Sequence, residues 1–304
     1  MKKYILSLLA TIFLLANNIY AQGDISNHKK GDWGISITFN PATLGYKMSC
    51  QPSPGDFAGE YITDLAGSPK QMFILSQDPL AAIRAKYYTN GKTALRMGFG
   101  FNGSVVNYRE YVQNDLAVAL NPESQNKVTD AVISRLNSLS LSFGMEQKVG
   151  SAKIKFVYGF DILYAVAGGR MVFNYGNAMT DINHVPSSMP ITAPQGTLDD
   201  FQSKLGIDYA RPVERYNSGY IHGLGLQADA GLEFFLTPKI SLGLSMTFTP
   251  IMATFQPKTY ATYEGFSKNT GKVENVTDMV SPGSCALLYG TENLGCRIAL
   301  TYYL

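Results

Sequence analysis

The stretch that decides the fold is LQADAGLEFFLTPKISLGLSMTF, residues 226–248. On each side of the short Thr237-Pro238 turn, apolar residues alternate with Gly, Ser, Thr and a few charged residues. Period two is the spacing of a β-strand, in which successive side chains point to opposite faces. The stretch therefore predicts two antiparallel strands that share one apolar face and one face of small polar residues.

Six more segments of the chain have the same alternation, so the sequence predicts eight strands in all. These segments are 33–39, 81–87, 95–101, 139–145, 154–162 and 296–304. Between the second and third predicted strands, Asn90-Gly91 supplies the two positive φ values that a tight hairpin turn needs.

Charged residues separate the two faces of these strands. No charge occupies an apolar-face position, and nine charges occupy the small polar face: Arg84, Lys86, Arg96, Glu146, Lys155, Asp161, Asp229, Glu233 and Arg297. A soluble β-protein would expose this polar face, but a face rich in Gly and Ser is too small and too neutral for a soluble exterior. It suits the narrow interior of a membrane barrel, where the five basic and four acidic side chains form a charge network that plugs the lumen.

The connections alternate between short and long. Short links are at 89–92, 147–151 and 236–239, and long ones are at about 40–80, 103–137, 169–219 and 251–293. Short turns on one side and long loops on the other are typical of outer-membrane barrels. We therefore predict an all-β chain that forms an eight-stranded antiparallel up-and-down transmembrane β-barrel with four long extracellular loops. Within these loops, helical spacing predicts short helices at Glu123–Asn137 and after Thr197–Asp200.

The first 21 residues predict the compartment. Lys2 and Lys3 precede an apolar core, and Ala21 precedes Gln22, as in a secretory signal peptide cleaved after Ala21. Residues 22–304 are then the barrel domain, an integral multi-pass protein of the cell outer membrane. Without Lys2 and Lys3 the chain has 23 basic and 23 acidic residues. This balance argues against a nucleic-acid partner.

Four segments together carry a family resemblance. They are the signal end Ala21-Gln22, GDWGISITFNP at 31–41, YYTNGKTALRMGFGFNG at 87–103 and LGCRIALTYYL at 294–304. The chain resembles the small outer-membrane β-barrel proteins of the Bacteroidota, similar in plan to the OmpA/OmpX type. The resemblance implies placement and architecture and carries over no catalytic residue.

The predicted role is non-enzymatic. The extracellular loops would have a structural or binding function, and one form of that function is that of a small subunit of an envelope complex. We predict no catalytic residue, no cofactor and no metal site. The expected partners are outer-membrane lipid and lipopolysaccharide, and the barrel-assembly machinery during insertion. The alternative is a lipid-modifying hydrolase or acyltransferase at the bilayer interface, because His222 shares parity with Leu224 and Leu226 and should point outward beside Tyr220.

Three cysteines are an odd number for an exported chain. Cys50 lies in the first long loop and Cys285 in the last, and these loops are neighbours in a closed barrel. A Cys50–Cys285 disulfide is one expectation. A Cys285–Cys296 bond and three free thiols are the alternatives that the sequence leaves open.

Overall fold

The computed structural model describes residues 29–40, 81–150, 153–189, 206–291 and 294–304. The described chain is nearly all antiparallel β, so the predicted fold class is confirmed at that level. Its strands are β1 Trp33–Phe39, β2 Ala81–Tyr88, β3 Thr93–Gln113, β4 Lys127–Val149, β5 Ile154–Asn174, β6 Ile207–Asn217, β7 Ile221–Thr237, β8 Ile240–Gln256, β9 Thr259–Ser267, β10 Lys272–Ser281, β11 Ser284–Tyr289 and β12 Leu294–Tyr303. One helix, α1 Asp115–Leu120, follows β3.

Eight of these strands pair in a closed circuit. Proceeding from β1, each strand pairs antiparallel with the next in the order β2, β3, β4, β5, β7, β8 and β12. The last strand returns to the first, with Ile35 of β1 opposite Tyr302 of β12. Each of the eight alternating sequence segments lies in one strand of this ring. Closure leaves the ring without an open sheet edge, because every strand has a hydrogen-bonded neighbour on both sides.

The register preserves the two faces all the way around the ring. Phe143 of β4, for example, lies opposite Met97 of β3 on one side and Ile162 of β5 on the other. All three are exposed outward. The next residue along β4, Gly144, lies opposite Arg96 and the fully buried Asp161. Apolar rows therefore meet apolar rows on the outside, and polar rows meet polar rows inside.

The region predicted as a loop over 103–137 is instead a continuation of the β3–β4 hairpin. These strands are paired without a break from Thr93–Gln147 to Gln113–Lys127. The predicted helix at Glu123–Asn137 is wrong, because Val128, Val132 and Ile133 favour extended backbone. Val132 is buried against Met171 and Phe173 of the neighbouring strand β5. Between β3 and β4 the helix is the short α1, which the Asn114 side chain caps by accepting a hydrogen bond from the Ala117 backbone N–H.

The other long connections also contain strands. Beyond the ring, β5 pairs with β6, β6 with β9 and β9 with β10, so the sheet continues from the ring into these strands. A short strand, β11, pairs with the far end of β8. We call the part beyond the ring the outer lobe: residues 103–137, 168–189, 207–217 and 259–281. The last three connections, predicted as long loops, are therefore largely paired strands in their described parts.

The outer lobe has its own apolar cores. Ile207, Ala210, Ala261 and Tyr263 pack between β6 and β9. Val132, Met171, Phe173 and Met189 pack beneath the segment that follows β5. Among the described residues, no helix has the length and apolar character that a membrane crossing requires. The signal peptide at 1–21, most of the first long loop and the predicted helix after Thr197–Asp200 lie outside the described residues.

Candidate functional site

Arg96 is the centre of the ring's interior. Its Nε donates a hydrogen bond to Oδ1 of Asp161 at 2.7 Å, and its Nη1 lies 3.0 Å from Oδ2 of Asp229 and 3.4 Å from Oε2 of Glu146. One guanidinium therefore holds carboxylates from β4, β5 and β7. All four side chains are buried, and charge-assisted bonds in such an environment are stronger than the same bonds in water.

Two glycines make room for this cluster. A Cβ on Gly159 would lie 2.8 Å from Cζ of Arg96, and a Cβ on Gly144 would overlap Oδ1 of Asp161. Any larger residue at either position would displace the guanidinium or its main carboxylate partner. The glycines on the small polar face thus serve a packing role, because they allow long charged side chains to cross the narrow interior.

The remaining predicted charges lie around this centre. Lys86 pairs with Glu146 at 2.9 Å, and Nη1 of Arg84 lies 3.5 Å from Oδ2 of Asp161. Arg297 donates to Oε1 of Gln227 at 2.9 Å. Lys155 lies over the ring of Phe235, with 5.5 Å from its Nζ to the centroid. The structure thus places all nine charges on the inward face of the ring, where all of them are buried.

The sequence interpretation missed a tenth charge, Lys148. Its Nζ lies 2.6 Å from Oε2 of Glu233 and 2.7 Å from the Tyr303 hydroxyl, and 4.9–5.4 Å from the ring centroids of Tyr88, Phe235 and Tyr303. We call Tyr88, Lys148, Phe235 and Tyr303 the basal cap, because they close the ring at the end that carries the short turns. The predicted turn at 147–151 includes Lys148, although this residue shares parity with Glu146. The observed β4 continues to Val149.

Two small cavities lie in the interior that the described strands form. One cavity of about 50 Å³ lies between Arg96, Arg297 and Glu146, and one of about 20 Å³ lies above it near Arg84 and Ser140. A buried water needs about 10–15 Å³, so each of these cavities has room for water.

The cysteines make no disulfide with each other in the described part of the chain. Cys285 is exposed on β11, and Cys296 lies on the outward face of β12 opposite Met246. Since Cys50 lies outside the described residues, the Cys50–Cys285 bond stays a prediction.

His222 lies on the outside of the ring, as its parity predicts. Its Nδ1 is 2.8 Å from the Tyr164 hydroxyl, and the two rings are stacked at 6.0 Å. In the described residues, Tyr164 is the side chain that bonds to this imidazole. The serine and the acid that the lipid-modifying alternative requires are not among those contacts.

Two acids, the buried Asp130 and the half-buried Asp115, hold the distal end of the outer lobe together. Asp130 is fully buried and accepts hydrogen bonds from the backbone N–H groups of Gly176 and Met189. Asp115 of α1 accepts from the backbone N–H of Ser187 at 2.8 Å and from the Asn183 amide at 2.7 Å. These bonds fasten the segment 175–189 to the β3–β4 hairpin.

Four large apolar side chains are exposed at this end. Leu116 and Leu120 are one helical turn apart on α1, and Ile182 and Val185 lie on the segment that is bonded to Asp115. Their exposed fractions are 72%, 81%, 92% and 62%. We call these four residues the apolar tip.

An arginine anchors the base of the same segment. Nη2 of Arg211 donates to the Asn177 carbonyl at 2.8 Å, and its Nε donates to Glu264 at 2.6 Å. The guanidinium also lies 3.8 Å above the ring centroid of Tyr175, which is a close cation–π contact. Strand β6 is thereby connected both to β9 and to the segment that carries half of the apolar tip.

We expect Arg96→Met to lower the free energy of unfolding by about 3–5 kcal/mol, because it leaves three buried carboxylates without their shared partner. The control is Arg109→Met on the exposed, outward face of the same strand, which should change stability by less than about 0.5 kcal/mol. Urea unfolding of the two variants in the same detergent checks this. Equal stability of Arg96→Met and Arg109→Met would contradict the network.

The bonds to Asp115 should make the lobe's distal end acid-sensitive. Burial raises the pKa of this carboxyl, but the hydrogen bonds from Ser187 and Asn183 outweigh burial and hold its pKa below the usual 3.8. A lowered folded-state pKa means that the stabilisation is present above the unfolded-state value and is lost as pH falls through the folded-state value. The Ser187 amide proton should therefore titrate in NMR spectra with a midpoint below 3.8. Asp115→Asn should abolish that titration, and a midpoint above the usual value in the unsubstituted protein would refute the assignment.

Comparison with known proteins gives no family. No protein-family model matches the chain, and no curated protein matches it. Several solved structures are similar to the chain over most of its length, with low sequence identity and low TM-scores. The outer membrane protein OprG from Pseudomonas aeruginosa is 11% identical over 92% of this chain and 99% of that one, with a TM-score of 0.31.

Two further structures give similar values. Ail, the attachment invasion locus protein of Yersinia pestis, solved with the heparin analogue sucrose octasulfate, is 10% identical over 90% of this chain and 99% of that one, with a TM-score of 0.31. A major outer membrane protein from Thermus thermophilus is 13% identical over the same shares, with a TM-score of 0.34. At these low identities and TM-scores, the function proposed below rests on this chain's own residues.

Proposed function

We propose that this chain is an integral outer-membrane β-barrel with a closed interior, which carries a rigid lobe outside the membrane for binding a macromolecular partner. The observation that carries the proposal is the inverted arrangement of the ring, with apolar side chains outside and ion pairs inside. Soluble monomers rarely expose contiguous apolar patches larger than a few hundred Å². Here the exposed apolar face continues around all eight strands.

The outward apolar rows form a belt of the height that a bilayer requires. On β4 the outward row from Leu139 to Val149 is apolar except at Gln147, which accepts a hydrogen bond from the Tyr158 hydroxyl. This row spans 11 residues, and a tilted transmembrane strand has about 9–11. Aromatic rings mark both margins. Near the short turns, the ring centroids of Trp33 and Tyr87 are 5.0 Å apart. Near the lobe, the Tyr164 ring stacks with the His222 ring. Such rings are typical of the two membrane–water interfaces.

The two ends of the ring then have different surroundings. Outer-membrane barrels have short turns on the periplasmic side and long connections outside, so the basal cap faces the periplasm and the lobe faces the exterior. An interior crossed by the Arg96 cluster and closed at one end by the basal cap suits a protein that does not conduct solutes. The role is therefore assigned to the lobe, and it is non-enzymatic.

The apolar tip is the proposed contact surface of the lobe. Its four large side chains are exposed on backbone that is held by Asp115 and Asp130. A pre-ordered apolar surface loses little conformational freedom on binding, which favours affinity. The partner is a protein with a complementary apolar surface, either another component of an envelope complex or an external one.

Leu244→Arg should test the position of the belt. Leu244 faces outward between Leu232 and Ile298, near the middle of the belt, where an arginine in lipid costs about 2–4 kcal/mol. We expect this variant to fold poorly into phospholipid vesicles, as measured by protease protection and by heat-modified migration on gels. The matched control is Tyr111→Arg in the lobe, where the native side chain is 72% exposed, and it should fold normally. Equal folding yields of the two variants would exclude the membrane position.

A further inference from the structure

Two arginines lie side by side on the outward face of the outer lobe, where its strands β4 and β5 leave the ring. Arg135 of β4 lies directly opposite Arg170 of β5, and both residues are exposed. Directly paired cross-strand residues have Cβ atoms about 4.5–5.5 Å apart, and like charges in such a pair destabilise a sheet. The pair therefore costs stability unless an anion lies against it.

The acidic residues nearby do not balance this pair. Nε of Arg170 lies 3.2 Å from Oε1 of Glu214, but the two side chains are 53% and 31% exposed, and exposed ion pairs of this kind contribute little. Among the described residues, Arg135 has no acidic partner within ion-pair distance. The two guanidinium groups and one carboxylate leave a local charge of about +1 on this surface.

The height of the pair relative to the apolar belt indicates which anion it meets. Arg135 is four residues beyond Leu139, the last apolar residue of the belt on β4. Four residues span about 13 Å along a strand, and a tilt of about 40° reduces this to about 10 Å along the membrane normal. Each headgroup layer of a bilayer is about 5–8 Å thick, and arginine side chains extend several Å toward such a layer.

Polar and aromatic residues lie close to the two arginines. Asn137 is exposed one outward position below Arg135, and the Tyr220 ring covers Gly168, the corresponding position below Arg170. The exposed Val105 lies opposite Arg135 on β3. In the next strand, Tyr216 lies opposite Arg170 and is stacked on Tyr260 at 5.8 Å. Tyrosine rings at this depth are common, because they have an apolar body and a polar hydroxyl.

We propose that Arg135 and Arg170 form a binding site for the phosphate group of an anionic outer-leaflet lipid. Paired guanidinium groups bind phosphate oxygens through two parallel N–H bonds each, and lysine cannot reproduce that geometry. The inference rests on the proposed membrane position of the ring. It adds a named ligand chemistry at a place that is separate from the apolar tip. A bound phosphate would also offset the repulsion between the two arginines.

The test uses the full mature protein in detergent micelles, to which diphosphorylated lipid A or its dephosphorylated form is added. Thermal unfolding is measured for the unsubstituted protein, for the double variant Arg135→Gln/Arg170→Gln and for the control Arg109→Gln. Arg109 is exposed on the same outward face, at the position next to Ala131 and four residues farther from the belt. All three substituted side chains are on the surface, so the variants should fold.

We expect diphosphorylated lipid A to raise the melting temperature of the unsubstituted protein and of Arg109→Gln. The double variant should need at least about tenfold more of the lipid for the same shift, because each charge-assisted bond to phosphate is worth about tenfold or more in affinity. The dephosphorylated lipid should produce no difference between the variants. An identical response of all three proteins to the phosphorylated lipid would overturn the site.

An additional arm distinguishes a lipid headgroup from a free anion. Inorganic phosphate at the same concentration should leave the melting temperature unchanged, and an equal shift would overturn the lipid assignment. Failure of the lipid site and failure of the proposed membrane position give different results. If Leu244→Arg fails to insert while the double variant inserts and responds like the unsubstituted protein, only the lipid site is wrong. If Leu244→Arg inserts as well as Tyr111→Arg, the membrane position itself is wrong.

Discussion

Closure of the strand ring between β1 and β12 is the constraint on which the rest of the structure depends. Once the ring is closed, successive residues of every strand point alternately inside and outside. A residue could change sides only if its whole strand shifted register. The apolar rows lie outside at each of the eight pairings, so the charged rows must share a narrow interior. Arg96 makes that interior feasible, because one planar guanidinium binds carboxylates from three different strands. The glycines beside it supply the space.

Much of this could be predicted from the sequence, because the interior and exterior of the ring leave a strong pattern. Alternation at Leu226–Phe248 marks two strands directly, and the parity of nine charges assigns them to the inside. The sequence prediction does not include Lys148 because it ends the strand at Glu146 and begins a turn at Gln147, whereas hydrogen bonding continues β4 to Val149. Parity alone could have found this lysine. The basal cap could not be predicted, since it depends on side chains from four different strands meeting at one end.

The strands of the outer lobe could not be predicted from the sequence for a different reason. They pack against other segments of the chain and not against one continuous apolar environment, so their sequences lack the regular two-residue alternation of the ring strands. Val128, Ala131, Val132 and Leu136 match helical spacing by chance, and the long-range pairing of β3 with β4 overrides it. The buried Asp130 accepts hydrogen bonds from the backbone N–H groups of residues more than 40 positions away. No local sequence pattern predicts such a hydrogen bond. The apolar tip follows from these bonds and was equally invisible.

The most direct test of the inverted ring is the environment of successive residues on one strand. Spin labels placed singly at positions 139–145 of β4, in protein folded into lipid vesicles, report collisions with oxygen, which concentrates in lipid, and with a water-soluble nickel complex. If the apolar rows face lipid, oxygen accessibility peaks at Leu141 and Phe143 and falls at Ser142 and Gly144. Nickel accessibility should stay low at all four positions. Nickel accessibility that peaks at Leu141 and Phe143 would contradict this arrangement, because the apolar rows would then face water.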